Sequence, residues 1–163
     1  MRNEKAHALA KSLIVKLHDI AKARGKTDRT LVNMCYRESA QVDNLCAVAN
    51  RLGYWLVIES PEERGKWYNS GGQWRELVKR LVFHWWNRKD EELIRNGHAE
   101  KTDNICDITE LRRQLEAEGL SPVSFTEWLK NRKVPSFDSF CLLALFEGFG
   151  VDWREIPMEE RTK

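Results

Sequence analysis

Two short stretches of this 163-residue chain carry side chains suited to reading a DNA duplex. In the first, Thr27, Asp28, Arg29, Asn33, Tyr36 and Arg37 cluster on the outer face of a helix expected over Asp28–Tyr36. Arginine offers a bidentate fork to guanine and asparagine pairs with adenine in the major groove, while Thr and Tyr hydroxyls hold phosphates. In the second, Ser121, Thr126, Lys130, Asn131, Arg132 and Lys133 take the matching places, with Pro122, Val123 and Glu127 among them. Pro, Val and Glu read bases poorly. The basic run Lys130–Lys133 instead suits phosphate, which contributes salt-dependent affinity. The first stretch is the better reading head.

Other chemistries find less support. An enzyme needs a constellation, and the sequence has no nucleophile elbow, phosphate-binding glycine loop or His-x-Glu with paired cysteines. The expectation is a protein without catalytic residues, metal or cofactor. His84 has no second ligand one helical turn away, and His7, His18 and His98 are scattered. Glu62-Glu63 and Glu91-Glu92 lie in charge-rich segments, where solvation is the ordinary explanation. Arg75, Lys79, Arg80, Arg88 and Lys89 flank Trp85-Trp86, a mixture that can stack single-stranded nucleic acid. Core tryptophans with a solvated basic face are the simpler reading. Cys35, Cys46, Cys106 and Cys141 form no C-x2-C pair and read as free thiols in a reducing cytoplasm.

Charge is nearly balanced, with 27 basic and 25 acidic residues, so its distribution says more than its sum. Residues 1–60 carry ten basic and six acidic side chains, 61–105 nine and eight, and 106–163 eight and eleven. The electrostatic footprint for DNA therefore falls on the first part of the chain. The apolar share of 42%, with seven Trp, is enough for a core. Met1–Lys11 is charged throughout, and no apolar run approaches membrane-spanning length; a soluble, cytoplasmic protein is expected.

The elements that must position the two heads are repeated. Lys16–Cys35 and Glu110–Leu129 superpose at a constant offset, matching Leu17 with Leu111, Ala23 with Ala117, Gly25 with Gly119, Thr27 with Ser121, Leu31 with Phe125 and Met34 with Trp128. After one inserted residue, Val42–Gly53 matches Phe137–Gly148, with Asp43/Asp138, Cys46/Cys141, Ala49/Ala144 and Gly53/Gly148 identical. Ala21, Gly25, Leu31 and Met34 have helix-turn-helix spacing: a small residue for close crossing, a glycine for the tight turn and two apolar anchors. Leu115 replaces the small residue in the second copy. Thr27 and Ser121 suit N-caps, and Pro122 suits the first helical position.

On Lys133–Ala144 (KVPSFDSFCLLA) and Val42–Tyr54 (VDNLCAVANRLGY) the chain resembles the lambda-repressor/Cro-like, or XRE-type, helix-turn-helix family. The first copy departs from it in having Ala40-Gln41 where the second has Pro135-Ser136. The resemblance implies double-stranded DNA as partner, and in some members a strand after the helices pairs with a second subunit.

The expected fold is mostly α: two tandem helix-turn-helix (lambda-repressor-like) units, with a short β-strand after the first at Tyr54–Glu59. Helices are expected over Glu4–Arg24, Val42–Leu52 and Gln73–Ile94, the last with Trp74, Leu77, Val78, Leu81, Val82 and Trp85 inward, and GVDWREI (Gly150–Ile156) closes the fold. The division runs 1–60 for the first unit, 61–72 for a linker and 73–163 for a helical unit with the second helix-turn-helix. A homodimer would form through the Tyr54–Glu59 strand or the Gln73–Ile94 helix. The expected function is sequence-specific transcription regulation by two heads, a covalent mimic of a repressor dimer. The competing expectation is an antitoxin-like, phage- or plasmid-type inhibitor that binds a protein partner through its acidic C-terminal unit.

Overall fold

The computed structural model describes residues 2–25, 29, 40–95, 109–130 and 132–160. It is mostly helical with a small antiparallel sheet. In chain order the elements are α1 (Arg2–Ala23), α2 (Val42–Arg51), β1 (Tyr54–Glu59), β2 (Trp67–Tyr68), α3 (Trp74–Arg95), α4 (Thr109–Ala117), α5 (Pro122–Leu129), α6 (Phe137–Phe146) and β3 (Gly150–Glu155). No helix of the described residues is long and apolar enough to cross a membrane.

Helix α6 is apolar almost all round, with Phe137, Phe140, Cys141, Leu142, Leu143 and Ala144 buried. Such a helix must lie inside a core. Against it packs α1, whose buried stripe Ala6, Ala10, Leu13, Ile14, Leu17 and Ala21 follows the 3.6-residue period. Three alanines in that stripe keep the α1 surface shallow where α6 crosses. Helix α3 buries Trp74, Leu77, Val78, Leu81, Val82 and Trp85, the six positions its periodicity indicates. That stripe, expected also as a dimer contact, faces the chain's own core, and Phe83 beside it is exposed.

The sheet order is β2-β1-β3. Tyr54–Glu59, expected to seek a partner subunit, pairs along its whole length with β3 of the same chain, from Tyr54↔Glu155 to Glu59↔Gly150. Each copy therefore ends in a strand, not the first alone. In β3 the alternation of Val151 and Trp153 with Asp152 and Arg154 is a half-buried strand pattern, masked in the sequence by its length of six residues. The expected linker also carries structure: Trp67-Tyr68 pairs with Ile58 and Glu59, and Ser70–Gly72 forms a 3-10 turn capped by Asn69. Residues on both sides of 61–72 contribute to one core cluster.

The repeat is legible in the hydrogen bonds. Val57↔Asp152 is one of the two middle pairs of the β1–β3 ladder, and a separate antiparallel bridge joins Gln41 to Ser136. Both pairs are 95 residues apart, as are the matched Gly53 and Gly148. Around the bridge, Val42 N–H donates to Pro135 C=O at 3.1 Å and Phe137 N–H to Ala40 C=O at 2.7 Å, each bond being the other's counterpart. Helices α2 and α6 end alike: Leu52 N–H bonds Val48 and Ala49, Gly53 N–H bonds Asn50, and the same pattern recurs from Glu147 and Gly148. Both glycines have positive φ, 84° and 77°. When residue i meets j and the equivalent of j meets the equivalent of i, the contact is isologous. Here that symmetry lies within one chain.

Cys46 and Cys141, an equivalent pair, are buried free thiols. Burial, with Asp43 adding, pushes Cys46 up to about 12, and burial with Asp138 raises Cys141 likewise. Thiolate is the reactive form. Iodoacetamide treatment of the native protein at about pH 8, followed by peptide mapping, should leave both unmodified, while denatured protein should label at both.

Candidate nucleic-acid interface

The stretch expected to form the second head spans α4, the turn after it and α5. Helix α4 buries Leu111 and Leu115 and stops at Gly119, whose φ of 101° suits glycine alone; a Cβ there would also stand 3.1 Å from the Asn3 amide. Ser121 then caps α5, accepting from Ser124 N–H at 3.4 Å, with Pro122 entering the first turn. The anchors Phe125 and Trp128 are buried and meet edge to face at 5.7 Å. Both lie on the inward face of α5.

Its outer surface is partly self-satisfied. Thr126 accepts from Arg112 at 2.8 Å, and Arg132 lies 3.9 Å from Glu127. Lys130, Arg132 and Lys133 are exposed and follow one another past the C-terminus of α5. That places three positive charges beyond the helical turns of α5. Of the first head's residues, Arg29 is exposed. Thr27, Asp28, Asn33, Tyr36 and Arg37 lie outside the described residues, as does Asn131 of the second head.

The C-terminal end of α1 is held by Arg24. Arg24, beside Gly25, donates to Leu52 C=O, lies 3.2 Å from Glu155 and stacks over Tyr54 at 4.9 Å. Since Tyr54 and Glu155 pair with each other, this one guanidinium ties the end of α1 to both strands of the symmetric ladder. The signal was only an arginine before a turn glycine, which many helix ends share.

A second polar cluster joins the expected linker to the core. The Glu147 side chain is fully buried and accepts from Arg88 at 2.8 Å, with His84 Nδ1 at 2.7 Å on its other oxygen. Glu62 stands 2.9 Å from His84 Nε2, so both ring nitrogens face carboxylates. The Ser60 hydroxyl holds the Glu62 carboxyl below its usual range, with the His84 contact adding. A lowered carboxylate stabilises the fold at pH above its unfolded value, and the contribution is lost as pH falls through the folded one. Among the described residues no group of three or more His, Cys, Asp or Glu is placed to hold a metal ion. Glu147→Gln keeps the shape but removes the charge and replaces one of the two oxygens that face Arg88 and His84 with an NH2 group. It should lower stability by about 2 kcal/mol, read as a shifted urea midpoint at unchanged slope.

Comparison with protein-family models, with curated proteins and with solved structures returns no match for this chain.

Proposed function

We propose that this chain is a sequence-specific DNA-binding regulator whose two helix-turn-helix heads are related by the two-fold symmetry built into its fold. One observation carries the reading: both antiparallel pairings, Val57↔Asp152 and Gln41↔Ser136, join residues 95 apart in the repeat. In helix-turn-helix dimers a two-fold sets two recognition helices on successive major grooves of a pseudo-palindromic site, about 34 Å apart. Here one chain supplies both halves. The heads are unequal: the first carries Arg29 and Asn33 for bases, and the second offers Lys130, Arg132 and Lys133 to phosphate.

The reading is tested by selecting bound fragments from random duplex DNA with the whole protein. It expects one chain per site, two half-sites about ten base pairs apart, and stronger base preference in one of them. Affinity should fall steeply as salt rises. Absence of binding to any duplex at low salt would sink it.

A second reading has one specific observation behind it. Thr126 and Glu127, on the outer surface of α5, are engaged by Arg112 and Arg132 within the chain. A surface so occupied suits a unit that meets a protein partner, with the acidic C-terminal part as its contact. Retention of biological activity after Arg29→Ala with Asn33→Ala would favour it.

A further inference from the structure

The outer face of the sheet, opposite the helices, holds a cavity of about 450 Å³. That size lies within the range of small-molecule sites. Trp55 and Trp67 wall it, Val57 lies among its lining residues, and Arg154 and Glu160 bring opposite charges to it. We propose that this cavity binds a zwitterionic aromatic amino acid, its ring against Trp55 over Val57, its carboxylate on Arg154 and its ammonium on Glu160.

Three observations point to that ligand class. First, the Arg154 guanidinium lies over the Trp67 ring at 4.9 Å, which orients its planar fork. Among the described residues no carboxylate pairs with it, although two share its cavity. Glu155, the nearer in sequence, is drawn to Arg24 at 3.2 Å. Second, the Glu160 side chain has no cationic partner among the described residues. Two opposite charges that line one cavity without pairing are satisfied together by a ligand carrying both signs. A bare anion meets two carboxylates, and a bare cation meets the guanidinium. Third, two tryptophans and Val57 give the otherwise polar lining an aromatic and apolar part. Gly72 gives Trp55 its place, since a Cβ there would stand 3.3 Å from the indole. A ring fits such walls better than a branched aliphatic chain, and each aromatic contact adds to affinity.

The cavity joins β1 from the first copy, β3 from the second and the turn after β2, so the repeat alone does not generate it. The inference stands on this lining and not on DNA binding.

The test is calorimetric titration of the full chain with L-phenylalanine, and separately with phenethylamine, phenylacetate and L-leucine. L-Phenylalanine should bind saturably at one site, and each of the other three should bind at least ten-fold more weakly, since each lacks one of the three features. Arg154→Met, which keeps contact with Trp67 and removes the charge, should weaken L-phenylalanine at least ten-fold. Glu160→Gln should weaken it less. Both side chains are exposed, so unchanged melting temperatures would show that the fold persists. Failure of L-phenylalanine to bind saturably would overturn the proposal. So would equal binding of phenethylamine or phenylacetate, equal binding of L-leucine, or an Arg154→Met protein that binds as the parent does.

Discussion

Trp153→Ala should lower stability by about 4 kcal/mol, and the variant should still melt in a single transition. Trp153 is 2% exposed, donates from its indole to Leu13 C=O at 2.9 Å and stacks on Phe137 at 5.7 Å. It pairs with Leu56 across the sheet. One side chain thus touches α1 and β1 of the first copy and α6 of the second from its place on β3. Removing it opens a cavity among elements whose packing is already mutual, so relaxation recovers little of the loss. Trp153→Phe should cost about 1–2 kcal/mol, because the ring stays buried and only the donated bond and part of the indole go. Thermal and urea unfolding followed by far-ultraviolet and tryptophan signals checks both. Two resolved transitions, with residues 1–60 melting apart from the rest, would show that the copies fold independently.

Arg29→Ala should weaken a selected duplex about ten- to hundred-fold, with the loss of base preference confined to one half-site. Arg29 is exposed, and the part of the chain that holds it, residues 1–60, carries the excess of positive charge. Asn33→Ala should relax a neighbouring position in the same half-site. Lys130→Ala predicts a different signature: a few-fold loss uniform over sequences, with the salt slope reduced by about one. The contrast between the heads is the informative quantity. If Arg29→Ala and Lys130→Ala weaken every duplex alike, neither head reads bases and the protein binds by charge alone. Titrations with selected and scrambled duplexes over a salt series separate these outcomes.

Much of the helical framework is legible from local pattern. Val42–Arg51 and Trp74–Arg95 fall within a residue or so of their expected limits, and Tyr54–Glu59 falls on them. Their signals are contained in the segments themselves: a period of 3.6 or 2, Ser121 and Pro122 at a helix start, glycine at a stop. The strand at Gly150–Glu155 was harder. Its alternation is short, and it follows α6 through a tight turn, so nothing local separates it from an extended tail. Trp67-Tyr68 is a two-residue strand that exists only because β1 lies beside it. The buried carboxylate was hidden for another reason. Glu147 follows an apolar helix and reads as a surface cap until Arg88 and His84 are brought to it from α3. Glu62 beside Glu63 likewise resembled a solvated pair; only the fold sets one of them on His84.

By itself the sequence determined the repeated unit: its inner scaffold of Leu17/Leu111, Gly25/Gly119 and Ala49/Ala144, and the unequal outer residues that set Arg29 and Asn33 against Val123 and Glu127. Periodicity, caps and turn glycines act over a few residues, so a linear reading reaches them. Tertiary structure alone decided how the two copies meet. The ladder through Val57↔Asp152, the bridge at Gln41↔Ser136, the Arg24 tie and the cavity between Trp55 and Arg154 all join residues far apart in the chain. A strand's sequence states that an edge needs a partner, but hydrogen bonds to the backbone are nearly blind to which strand supplies it. That choice belongs to the shared core, where α1 and α6 bury their apolar faces together and bring β1 and β3 into register.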